Sequence, residues 1–382
     1  MHKSIVLIGL FVISTFLFSQ NKNEKITTGF YDSIDSEILD AKRSLQIFLP
    51  ENYESSGKAY PVIYHLYGDR INQYWLEAVS TVYNLSSDGA MPEFILVGID
   101  EVDRYRFLIP RDGDGNATNI NLFTEFIRDE LIPYIDNNYR TMDYRILVGP
   151  QVGANFGLYT LFTNPDLFDA FIITHPFRWS GGRDYLEGLS KEYFNDYTSG
   201  NKFLFITSDD DDEYTMEGHP ALERLEKLIT EVKPKGFRFF RNHLGTTGDF
   251  VSTTGLKAGL KTLFDGYNLP SNLEVTNLSD IEEYYTAYFE KLGSLFPIPE
   301  LGVVMRADAL QEKDLFSAME ILEYLKVKYP KSPNAFWRLA QIYEKQNDYH
   351  RALEHYEKCV ENAPGFIAAL NKVKELGEKV SN

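Results

Sequence analysis

The chain of 382 residues holds a single cysteine, Cys359. That excludes an internal disulfide and any cysteine-based zinc cage. Basic residues are also scarce, 38 against 56 acidic, for a net charge of −18. Such a balance argues against nucleic acid and anionic membrane surfaces as partners. No glycine-rich phosphate loop or dinucleotide fingerprint occurs, which removes the commonest cofactors of α/β proteins; no cofactor is expected. The seven histidines show no metal-ligand spacing, and His350 and His355, five apart, lie off a common helix face. Long apolar runs are missing too. The one candidate, residues 5–18, falls short of the ~20 residues a span needs. With Lys3 before it and Ser19-Gln20-Asn21 after it, this stretch reads as a signal peptide over residues 1–20, cleaved near Gln20. An exported protein, periplasmic or secreted, with no membrane span after signal removal is the expectation. What the chain has in quantity is hydrophobic residues, 43%, and aromatics, 14%, enough for a sizeable core.

From 21 to 268, apolar runs alternate with amphipathic stretches, which predicts an α/β fold with a mostly parallel sheet and helices on both faces. Strands are expected at 44–50, 60–66, 93–99, 170–174, 202–207 and 237–240, and helices over 122–139 and 255–264. Residues 269–298 read as a connecting helical segment. A repeat follows: Ala318 and Ala352, Leu322 and Tyr356, and Pro330 and Pro364 are each 34 residues apart. That period marks two tetratricopeptide repeats, 299–332 and 333–366, closed by a capping helix over 367–380. The first repeat is degenerate, with Gly302 at the first aromatic position. Two repeats are fewer than such modules need alone, so they are expected to lean on the connecting helix or the large domain. The Phe336 and Tyr343 region and the concave face are the expected site for a protein partner. The large domain is expected to fold without residues beyond about 298.

The chemistry concentrates at "GPQVG", 149–153, where the apolar run 145–148 hands over to a helix. Glycines on both sides of one residue at such a turn form a nucleophile elbow. Its middle residue is Gln151, which cannot attack a carbonyl. Asp112 opens a stretch like a calcium loop, but the sixth position lacks glycine and Phe123 stands where a bidentate glutamate belongs. A flexible turn near the cleft mouth is expected there, and His175 is expected to be a core histidine.

Seven stretches, "RSLQIFLPENY", "YPVIYHLYGD", "FILVGID", "RYRFLIPRD", "FIRDELIPYIDNNYRT", "RILVGPQVGANFGLY" and "NPDLFDAFI", run in the order of one family. On these, residues 25–265 resemble the esterase family of α/β hydrolases that includes siderophore and feruloyl-type esterases. Members with two C-terminal tetratricopeptide repeats share this arrangement. The resemblance implies a serine at the elbow, an acid after the next-to-last strand and a histidine before the final helix. Gln151 stands at the serine's place and Gly248 at the histidine's; His243, five residues upstream, could serve only across a loop insertion. The acid's place falls in the acidic run 209–213, with Asp209 and Asp210 its candidate remnants, a run that reads equally as a solvated charged loop. The oxyanion-hole amides fall at Val152 and at Tyr67 or Gly68. A strained elbow brings no catalytic return here, so a relaxed turn is expected. The resulting expectation is a catalytically degenerate esterase acting as a binding protein, with a small ester-like ligand in the cleft; the alternative is a residual or re-routed carboxylic ester hydrolase.

Overall fold

The computed structural model describes residues 28–51, 53–66, 71–100, 103–176, 183–208, 219–244 and 250–381. The stretch read above as a signal peptide lies outside them. Eight strands form one sheet: β1 (Phe30–Ser36), β2 (Ala41–Phe48), β3 (Tyr60–Leu66), β4 (Ile95–Ile99), β5 (Thr141–Pro150), β6 (Ala170–Thr174), β7 (Lys202–Ser208) and β8 (Phe237–His243). Their order is β1-β2-β4-β3-β5-β6-β7-β8. β1 and β2 pair antiparallel and β2 runs antiparallel to β4, while every pairing from β4 to β8 is parallel. The unbroken apolar runs explain this arrangement. β3, β4 and β6 are buried at every residue, the condition of strands covered by helices on both faces.

The helices divide between the faces. α1 (Ile71–Ser87) packs on one face; on the other lies α2, which runs through Ile120–Glu125, a π turn at Phe126–Leu131 and Ile132–Asn138. The widened turn precedes Pro133, which has no N–H to continue the helical ladder. α3 (Val152–Thr163), α4 (Arg183–Asp196) and α5 (His219–Val232) join the face of α2, and α6 (Phe250–Leu263) joins that of α1. The edge strand β1 was not legible as a strand. It is fixed from outside: Tyr134 and Tyr139 of α2 and its C-terminal flank donate to the Asp32 carboxylate at 2.8–3.0 Å. Glu130 accepts the N–H groups of Glu37 and Ile38, closing the β1–β2 turn.

After β8 and α6 come α7 (Leu278–Leu292), α8 (Glu300–Leu310), α9 (Leu315–Lys328), α10 (Asn334–Lys345), α11 (Tyr349–Asn362) and α12 (Ile367–Ser381). α8–α9 and α10–α11 are the two helix pairs, and α12 caps them. The turn between α8 and α9 spans 311–314 and that between α10 and α11 spans 346–348, one residue fewer. Val303, Ala307 and Leu310 therefore occupy the buried places that Phe336, Ala340 and Tyr343 hold in the second pair. The expectation that Gly302 takes the first aromatic position is corrected: Val303 takes it, and Gly302 faces the Asn268 side chain, whose amide would have to move to admit a Cβ.

The repeats share a core with the sheet. One continuous cluster of buried side chains runs from Ile63 and Trp75 through Tyr144, Phe264 and Phe296 to Val303, Leu322, Tyr343 and Leu376. Phe296 packs edge-on against Tyr144 at 4.9 Å, and Asn201 donates to the Glu290 carbonyl at the end of α7. Tyr267 donates to the Pro297 carbonyl at 2.6 Å, and Arg306 and Tyr329 donate to the carbonyls of Pro270 and Ile298. The repeats lean on the large domain as expected, but that domain does not own its core alone.

Candidate functional site

β5 ends at Pro150 and α3 begins at Val152, so a single residue, Gln151, makes the turn. Its φ of 51° and ψ of −113° lie where residues with a Cβ are strained. The expectation of a relaxed turn is overturned. The Gln151 N–H donates to the Thr174 carbonyl at the end of β6 (2.8 Å), and its own carbonyl accepts from Ala154 (3.0 Å). The flanking glycines leave no slack: a Cβ on Gly149 would stand 2.5 Å from the Gly153 carbonyl oxygen, and one on Gly153 would press on Leu66 at 3.2 Å. Behind the turn, α3 is buried from Val152 through Phe162 and cannot shift outward.

Gln151 is 8% exposed, and its Nε2 donates to the Tyr74 hydroxyl of α1 at 3.3 Å. Val152 is the first residue of α3, so its N–H has no acceptor within its own helix. It points with the positive end of the helix dipole, the arrangement an oxyanion requires. A second strained residue adjoins the first. His175, directly after Thr174, has φ of 56° and is 1% exposed, and its N–H donates to the Thr207 carbonyl at 2.9 Å. His175 is a core histidine as expected. Its left-handed backbone had no signal in the sequence, because residue type does not mark it. On β3, burial holds the His65 imidazole down to about 4, so it is neutral in the core.

Of the catalytic positions of the resemblance, Gln151, Val152 and His243 fall among the described residues. His243 ends β8, in register with Ser208 of β7, and is three strands removed from β5. At ~4.8 Å per strand that is ~14 Å, beyond the reach of an imidazole. Tyr67, Gly68, Asp209, Asp210 and Gly248 lie outside the described residues. Asp112 closes a tight turn, accepting from the N–H groups of Asp114 (3.0 Å) and Asn116 (2.8 Å). Among the described residues no group of three His, Cys, Asp or Glu could hold a metal. On α10, Phe336 and Tyr343 are mostly buried, packed against His355, so their rings build the repeat and the surface beside them is what a partner could meet.

A family model described as "Putative esterase" matches residues 36–183, and a tetratricopeptide-repeat model matches 333–366. The uncharacterized protein YjcH of Bacillus subtilis (strain 168) is 26% identical over 149 residues, 37% of this chain and 59% of that protein. The chain thus spans about three-fifths of the curated relative it matches. Among solved structures, an IroE-like serine hydrolase from Shewanella oneidensis superposes with a TM-score of 0.65 at 23% identity, over 79% of this chain and 99% of its own. An uncharacterised protein from Capnocytophaga ochracea gives 0.59 at 19% identity, over 91% and 99%. The siderophore hydrolase EstB from Aspergillus nidulans gives 0.52 at 18% identity, over 64% and 97%. At these identities the superpositions establish the fold. Residues 36–183 thus match an esterase-family model and 333–366 a tetratricopeptide-repeat model, on a fold like that of the IroE-like serine hydrolase.

Proposed function

We propose that this is an exported, catalytically degenerate esterase whose cleft holds a small ester- or carboxylate-bearing ligand without cleaving it, and whose repeats engage a protein partner. The observation that carries the reading is Gln151: an amide, with no nucleophilic oxygen, on a turn that keeps the strained backbone of an elbow. Backbone donors at the head of α3 do not depend on side-chain identity, so binding outlives the loss of chemistry. Binding a ground state without favouring a transition state gives no turnover. One structural relative is a siderophore hydrolase, which makes a siderophore-type ester the ligand to try first.

The test is hydrolysis of short acyl p-nitrophenyl esters. The unmodified protein is expected to stay at the no-enzyme rate, and Gln151→Ser alone to stay near it, because a serine without a base is a poor nucleophile. Gln151→Ser with Gly248→His is expected to recover weak turnover, using the backbone amides and an acid from Asp209 or Asp210. Robust activity of the unmodified protein, lost on changing His243, would overturn the reading in favour of a re-routed hydrolase. Export rests on Lys3 and the apolar stretch after it. Mass spectrometry of the mature N-terminus should find Asn21 or a near neighbour, and an intact Met1 would contradict export.

A further inference from the structure

At the edge of the sheet opposite Gln151, where β2 ends and β4 begins, a cavity of about 200 Å³ opens beside the C-terminal half of α1. We propose that it binds a cationic alkyl group, an alkylammonium or alkylguanidinium the size of one side chain. Its volume is below the ~300–1,000 Å³ of sites for drug-sized molecules, so it suits one such group. The walls match that chemistry. Phe48 and Tyr83 offer aromatic surface with Phe94 buried behind them, and Glu51 and Glu93 place two carboxylates on one small cavity. Aromatic faces attract cations, and a half-buried carboxylate is favoured by an opposite charge within a few ångströms.

No basic residue lines the cavity among the described residues, and the last turn of α1 carries none to meet the negative end of its dipole. Lys58 is the cation that acts on Glu93, but it is exposed and its ammonium lies over the Tyr329 ring at 5.0 Å. Burial raises the Glu93 carboxyl above the ordinary range, Lys58 only partly offsets this, and Glu51 adds to it. A second cation between the two carboxylates removes their mutual repulsion. The site stands apart from the cleft, so it holds or fails independently of the function proposed above. It adjoins the seam with the repeats, since Tyr329 belongs to the end of α9. A lysine or arginine side chain presented there by a partner, or a free amine, supplies the same group.

The full chain is titrated with n-butylammonium, n-butylguanidinium and n-butanol, followed by saturation-transfer NMR. Both cations are expected to bind about tenfold tighter than the alcohol, the size of one charge-assisted hydrogen bond. Glu93→Gln should weaken the cations by about the same factor and leave the alcohol unchanged. Glu51→Gln, at an exposed position, repeats the test where folding is not at stake. A stronger response to the guanidinium points to arginine as the source, a stronger response to the ammonium to lysine or a free amine; either supports the site. Equal binding of the alcohol would reduce the cavity to an apolar hole. Cation binding untouched by both substitutions would place it on the acidic surface at large. Either result overturns the proposal.

Discussion

Gln151 holds φ at 51° and ψ at −113°, a backbone that costs a residue with a Cβ about 1–3 kcal/mol. Glycine adopts such angles freely, at a cost of roughly 0.5–1 kcal/mol in chain entropy. The side chain offsets part of this through its burial and its bond to Tyr74 at 3.3 Å. Gln151→Gly is therefore expected to stabilise the protein by about 1 kcal/mol in urea unfolding. A loss of stability of that size would mean the turn is not strained. The position of this turn was legible from two glycines and the change of pattern around them. Its conformation was not, because the restraint comes from the Thr174 carbonyl and the buried helix α3, both supplied by the fold. The companion strain at His175 had no local signature at all. His243 shows the same limit in reverse: only the strand count separates it from Gln151.

Among elements, the strands with unbroken apolar runs were legible. Residues 60–66 and 170–174 read as the strands they form, since burial on both faces leaves no polar position to confuse the pattern. β1 was not, because FYDSIDS buries little on its own and is held by Glu130 and by tyrosines about a hundred residues away. The repeat period was read from the second helices, α9 and α11. The extra residue in the turn before α9 hid the register of α8. α7 shows how such a helix is seated on the sheet domain. It starts with a capping box at Asn277 and Asp280 and ends at Gly293, whose φ is 78°. A Cβ on Gly293 would stand 2.7 Å from the Cβ of Asn201, besides straining the left-handed cap. Gly293→Ala should cost about 1–2 kcal/mol, read as a lower urea midpoint at unchanged slope. An unchanged midpoint would show that α7 does not depend on this contact.

At the scale of the whole molecule, one buried cluster crosses from the sheet to α12 and joins what the sequence divides into domains. The sequence shows a change of pattern near residue 298, from alternating strands and helices to a 34-residue period. The energetic continuity across it was not legible, because Phe296, Tyr267 and Tyr329 become core only when the two parts meet. Within the repeats, burial pushes the Glu300 carboxyl above its ordinary range, partly offset by hydrogen bonds from Ser332 and Asn334. Cutting the chain after residue 298 would uncover the side of α7 that meets α9 and leave the Leu269 and Pro270 carbonyls without Arg306. Exposing apolar side chains costs ~25 cal/mol for each square ångström. The shortened chain is therefore expected to unfold about 5 °C or more below the full one, on the scale of 2–4 °C per kcal/mol for domains of this size. Scanning calorimetry of the full chain should show a single transition. Two separated transitions, the later one matching the shortened chain, would mean that the sheet domain stands without the repeats and that the shared cluster adds no coupling.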